Sequence, residues 1–136
     1  MGYKLSARSR KNLEGVHADL VKVVERAIEI TDVDFAVIEG VRTPERQKEL
    51  VAKGASKTLK SRHIDKCAVD LGAFVGNQLR WDAALYHKLK DAMFAAAKEL
   101  KIPIRWGGDW NCNGDSGDET FFDGPHFELP RSKKYP

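Results

Sequence analysis

The segment "CAVDLGAF", residues 67–74, constrains this chain more than any other, because it places a carboxylate inside an otherwise apolar strand. Side chains alternate across a strand, so Asp70 shares a face with Ala68 and Gly72 while Val69 and Leu71 point to the other side. A carboxylate in such a strand is at least partly buried, and a buried charge requires a partner or a metal. The fold must therefore bring either a cation or a metal-binding set to this strand. The chain has 23 Lys and Arg residues that could supply an ion pair. His63, seven positions earlier in "SRHIDKCAVD", is the nearest alternative, provided that a turn folds it back toward Asp70.

The other elements follow from periodicity. Leu13, Val16, Leu20, Val23, Val24, Ala27 and Ile28 recur at three- and four-residue spacing and predict one amphipathic helix over about residues 8–30, capped by Ser6 or Ser9. "FAVIEG", 35–40, reads as a strand ended by glycine. "TPERQKELVAKG" reads as a helix with Thr43 as cap, Pro44 in the first turn and Gly54 at the stop. Residues 55–66 are polar and turn-like, and Gly72 marks a bulge or turn in the next strand. Asp82 opens a third helix whose buried face is Leu85, Leu89, Ala92, Met93, Ala96 and Leu100. "IPIRW" and "HFEL", 126–129, complete the strands, and a Gly- and Asp-rich loop separates them. Strands and helices mix without regular βαβ alternation, which predicts an α+β fold with a small antiparallel sheet flanked by helices.

A length of 136 residues fits a single domain, 1–136, with one core. The net charge of +3 is a mild bias toward anionic partners such as a cell envelope, and is too weak to indicate nucleic-acid binding. The basic end "RSKKYP" reads as a solvated tail. No stretch approaches the ~18 apolar residues that a membrane helix needs, so no membrane insertion is expected. "MGYKLSARSRK" has no apolar region of the kind that marks export. Cys67 and Cys112 are expected as free thiols.

Two further stretches carry candidate chemistry. In "DGPHFE", Asp123 and His126 lie three apart beside a proline. Metal-assisted hydrolysis needs such a nitrogen ligand with a nearby carboxylate, since the metal lowers the pKa of a water and the carboxylate takes its proton. In "GVRTPERQ", Arg42 falls between a strand and a helix, where a fixed cation can stabilise an oxyanion or hold a substrate carboxylate. Each has a plainer reading: a turn aspartate, a surface histidine and a surface arginine.

Taken together, "S-x-H-x-x-x-x-A-x-D" at 61–70, "D-G-P-H-F-E" at 123–128 and "G-V-R-T-x-x-x-Q" at 40–47 resemble the zinc peptidases that cut peptidoglycan stem peptides. That family comprises D-alanyl-D-alanine carboxypeptidases and dipeptidases, and the L-alanyl-D-glutamate endopeptidases used by phages as endolysins. "WGGDW" at 106–110 is most similar to the phage branch. The resemblance implies that His63, Asp70 and His126 bind zinc, that Asp123 is the general base, and that Arg42 polarises the scissile carbonyl with Gln47 and Ser61 in support. It also implies a central antiparallel sheet carrying the metal site, as in hedgehog-like and D,D-peptidase folds. The expected activity is zinc-dependent cleavage between L-alanine and D-glutamate by a monomeric endolysin. Such a protein would be held in the host cytoplasm before release and act on the bacterial wall. The alternatives are a D-alanyl-D-alanine carboxypeptidase or dipeptidase, and a non-catalytic zinc-stabilised wall-binding domain.

Lys66 departs from the family pattern, which places a glycine there. A turn glycine is often kept for a positive φ, which costs lysine ~1–2 kcal/mol. Two other metal schemes arise. His63, Cys67, Cys112 and His126 could form a structural zinc site, although Cys67 should face away from Asp70. In "DWNCNGDSGDE", Asp109, Asn111, Asn113 and Asp115 imitate the start of a calcium loop, but Thr120 stands where the twelfth-position glutamate belongs. His17 and His87 read as solvated helix residues.

Overall fold

The computed structural model describes residues 3–54, 62–107, 124–130, 132, 134 and 135. Four helices occur among them: α1 (Ala7–Asn12), α2 (Ala18–Ile30), α3 (Pro44–Ala52) and α4 (Ala83–Leu100). Five strands, β1 (Asp34–Glu39), β2 (Ala68–Val75), β3 (Gln78–Arg80), β4 (Arg105–Trp106) and β5 (His126–Glu128), form an antiparallel sheet in the order β1-β2-β5-β4. β3 pairs with the distal half of β2. The architecture is α+β, as expected.

Two faces of the sheet divide the labour. Phe35, Val37, Val69, Leu71, Ala73 and Phe127 join Leu20, Val23, Val24 and Ala27 of α2 and Leu89, Met93 and Ala96 of α4 in one hydrophobic core. The alternate residues of β2 and β5, among them Asp70, His126 and Glu128, occupy the opposite face. The alternation read from "CAVDLGAF" therefore holds in three dimensions.

Several expectations are corrected. The single helix over 8–30 is two, because Gly15 takes φ +83° and breaks the pattern. Ser6 caps α1, and His17 caps α2 by accepting the backbone N–H of Asp19 on Nδ1. Leu13 and Val16 stay buried across the break, which is why the periodicity ran through it. Gly72 is neither bulge nor turn: it pairs with Ala36 in regular register, and the bulge is on the partner strand at Ile38, between the partners of Leu71 and Asp70. A Cβ on Gly72 would lie 2.7 Å from Leu79 Cδ1 and 3.1 Å from Ile38 Cγ2, so its missing side chain lets these two close over the strand. "IPIRW" contributes only Arg105 and Trp106 as strand, since Lys101 ends α4 at φ +60° and the N–H of Ile102 is spent on Ala97. The hairpin strand β3 was not anticipated.

"RSKKYP" is not a simple solvated tail. Tyr135 is buried, its hydroxyl donates to Asp19 at 2.7 Å, and its ring meets His17 edge-on. The buried guanidinium of Arg62 donates to the carbonyls of Leu129 and Tyr135 at 2.9–3.1 Å and to Asp65 at 3.0 Å. Arg62 thus ties the turn preceding β2 to the chain following β5.

Candidate metal centre

His63 reaches Asp70 through the turn at residues 62–66. This turn is closed by the N–H of Lys66 on the carbonyl of His63 and the N–H of Cys67 on that of Arg62. Lys66 has φ +65°, the left-handed conformation that the family's glycine anticipates, and its side chain is exposed. The turn is therefore kept intact with lysine in a backbone state that costs any L-residue. His126 arrives from β5, directly opposite Asp70 in the β2–β5 ladder.

The resulting geometry is tight. Asp70 Oδ1 lies 3.2 Å from His63 Nε2 and 3.3 Å from His126 Nδ1. One ligand atom from each of the three residues falls within 4.8 Å of the others. The imidazoles meet edge to face, with centroids 5.0 Å apart. Both histidines are buried and Asp70 is partly so.

The far nitrogen of each imidazole is occupied. His63 Nδ1 is 2.7 Å from the carbonyl oxygen of Gly40, an acceptor only, so Nδ1 carries a proton and Nε2 is the nitrogen that faces Asp70. His126 Nε2 is 2.8 Å from Glu128 Oε1, leaving Nδ1 turned toward Asp70. Two imidazole nitrogens and a carboxylate oxygen thus converge on one point. Three acceptors cannot satisfy one another, so a proton or a cation must lie among them. Two nitrogens and one carboxylate oxygen are a donor set that suits a metal such as zinc.

The electrostatics agree. Burial alone would push the Asp70 carboxyl up, but hydrogen bonds from His126 and His63 outweigh it and hold the carboxyl well below its ordinary range. Burial would lower His126, but Asp70 and Glu128 together raise it to about 9. In the metal-free site, a proton on His126 takes the place that a cation would fill.

Arg42 approaches the centre from the segment after β1. Its guanidinium pairs with Glu39, donates to Gln47 Oε1 at 2.7 Å and lies 3.5 Å from Asp70 Oδ2. The bulge at Ile38 sets this up: it puts Glu39, rather than Ile38, opposite Asp70. Gln47 is fully buried on α3, whose cap Thr43 accepts the N–H of Arg46. Both simple readings of Asp70 are therefore met at once, since it has an arginine neighbour and a metal-ligand set.

Other candidate residues do not join the centre. Cys67 is buried in the core, and the described candidate metal set does not include it. His17 is an N-cap rather than a solvated residue, and His87 packs edge-on against Trp106 at 5.0 Å. Ser61, Asp123, Cys112 and the loop with Asp109, Asn111, Asn113 and Asp115 lie outside the described residues. Glu39, Glu128 and the Gly40 carbonyl were missed in the sequence. Only Glu128 carried a local signal, two residues beyond His126 and hence on the same face of a strand.

The fold and its donor set define an α+β protein with a three-ligand candidate metal centre on the face of its sheet opposite the core. The chain belongs to the phage L-alanyl-D-glutamate peptidase family, whose model matches residues 1–130. It is 36% identical to the L-alanyl-D-glutamate peptidase of Escherichia phage T5, over 95% of this chain and 99% of that protein. It is 32% identical to the L-alanyl-D-glutamate peptidase of Listeria phage A118, over 90% of this chain but 41% of that protein. Among solved structures, the Serratia marcescens L-Ala D-Glu endopeptidase ChiX superposes with a TM-score of 0.83 at 40% identity, covering 96% of this chain and 90% of the other.

Proposed function

We propose that this protein is a zinc-dependent endolysin that hydrolyses the L-alanyl–D-glutamate bond of peptidoglycan stem peptides. The observation that carries the reading is the convergence of His63, Asp70 and His126, with both far imidazole nitrogens already engaged, in a chain of this family. When bound, zinc supplies Lewis-acid activation of a water and of the scissile carbonyl.

The remaining work falls to the chain itself. His63, Asp70 and His126 hold the metal. Asp123, three residues before His126, takes the proton from the attacking water and returns it to the leaving amine. Arg42 is held by Glu39 and Gln47 beside Asp70, and its fixed positive charge opposes the negative charge that develops on the carbonyl oxygen. Ser61 supports the same site. The protein works as a monomer, made in the host cytoplasm and acting on the wall once another protein gives it access.

The test is mass spectrometry of muropeptides after incubation of sacculi with purified protein, with and without a chelator. Fragments with a free L-alanine carboxyl terminus, absent when chelator is added, are the expected result. Loss of terminal D-alanine instead would identify a carboxypeptidase. Asp123→Asn should abolish cleavage while zinc still binds, and cleavage by that variant would remove Asp123 from the role of base.

A further inference from the structure

We propose that Glu128 is the positioning residue of this centre: its carboxylate fixes the tautomer and orientation of His126 so that Nδ1, not Nε2, faces the metal. The inference rests on the metal reading above and assigns a role to a residue outside the ligand set. Glu128 Oε1 lies 2.8 Å from His126 Nε2, both side chains are buried, and Oε2 is 4.0 Å from Arg105 Nη1 on the neighbouring strand. The strand geometry places the two side chains side by side. His126 and Glu128 are two apart on β5 and project to the same face, while Phe127 between them enters the core. Arg105 sits opposite Glu128 in the β4–β5 ladder and presents a positive charge to the oxygen that His126 leaves free.

An imidazole has two nitrogens of similar basicity, and a ring free to flip would offer either one to a metal. An anionic acceptor behind one of them selects the tautomer, holds the ring plane and raises the donor strength of the other nitrogen. His63 obtains the same service from a backbone carbonyl, that of Gly40. For His126 a side chain, that of Glu128, does the work.

Zinc affinity, measured by competition with a chromophoric chelator, tests this independently of catalysis. Glu128→Ala should weaken zinc binding about 10–100-fold. Glu128→Gln, whose amide oxygen still accepts from Nε2–H, should recover most of that loss. A purely structural Glu128 would instead lower the thermal stability of the metal-free protein and leave zinc affinity within twofold of wild type, which would overturn the proposal. Should the alanine variant not fold, histidine-selective 15N NMR of the zinc-loaded wild-type protein decides. The proposal requires His126 protonated at Nε2 and metal-bound through Nδ1, and the opposite tautomer refutes it. Failure of the wild-type protein itself to bind zinc would overturn the metal reading, and this inference with it.

Discussion

The Nδ1–H of His63 donates to the carbonyl of Gly40 across 2.7 Å, joining the end of β1 to the turn that carries the first candidate ligand. The backbone at Gly40 can occupy that place only because it has no side chain. A Cβ there would stand 2.1 Å from the carbonyl oxygen of Asn12 and 2.9 Å from Val16 Cγ2. The α1–β1 packing thereby sets the position of an atom that orients a candidate metal ligand.

Gly40→Ala should therefore do two things. Overpacking against a backbone oxygen that cannot move aside should cost about 2 kcal/mol or more of stability. The displaced carbonyl should also loosen His63 and weaken zinc binding. Denaturant titration of the metal-free protein reads the first effect and chelator competition the second. A variant with native stability would mean that the Asn12 segment yields easily.

Lys66→Gly addresses the left-handed residue of the turn. Relief at φ +65° should gain ~1–2 kcal/mol, reduced by the greater freedom that glycine has in the unfolded chain, for a net gain of about 0.5–1 kcal/mol. The hydrogen bonds made by the Lys66 backbone, to the His63 carbonyl and from the His17 N–H, need no side chain and should survive. Thermal denaturation checks the sign. An unchanged or lower midpoint would show that the lysine stem contributes packing that offsets the strain.

What could be read in advance was what is local. Thr43 and Pro44 start α3 through contacts within one turn, and the alternation around Asp70 assigns faces from neighbouring residues alone. The candidate ligands were visible because family motifs kept His63, Asp70 and His126 in recognisable surroundings; alone, each had an ordinary explanation. Features made by residues far apart in sequence were hidden. The charge of Arg62 is buried against Leu129 and Tyr135, so a tail with three basic residues looked solvated while its single aromatic, Tyr135, was locked inside. The bulge at Ile38 exists only relative to β2, and nothing within "FAVIEG" marks it. Gly15 was the exception, a breaker present in the sequence but overridden by an apolar pattern that continues on both sides of it.

The metal-free protein should lose stability as the pH rises. His126 is raised from 6.5 to about 9: burial opposes the shift, and Asp70 and Glu128 carry it. A folded-state value above the unfolded one means that the stabilisation is complete below about pH 6.5 and disappears as the pH climbs through about 9. Zinc bound at this site would displace that proton, so the loaded protein should not share the decline. Chemical denaturation with and without zinc between pH 6 and 9.5 makes the comparison, and parallel profiles would contradict it.

Arg62→Lys tests the clamp on the chain end. Among the described residues, four hydrogen bonds fan out from one planar guanidinium to Leu129, Tyr135 and Asp65, with Leu129 accepting two of them. An ammonium keeps the charge but cannot reproduce the fork, and buried carbonyls left unpaired cost about 1–3 kcal/mol each. The variant should lose at least about 2 kcal/mol of stability. Because Arg62 immediately precedes His63, and Leu129 follows Glu128, the loosening should reach both sides of the centre and lower zinc affinity as well. Tyr135→Phe separates the two consequences: it removes the hydroxyl bond to Asp19 while leaving the backbone carbonyl that Arg62 holds. That variant should be mildly destabilised, with zinc binding intact. If both variants weakened zinc equally, the tail as a whole, rather than the arginine fork, would be what steadies the site.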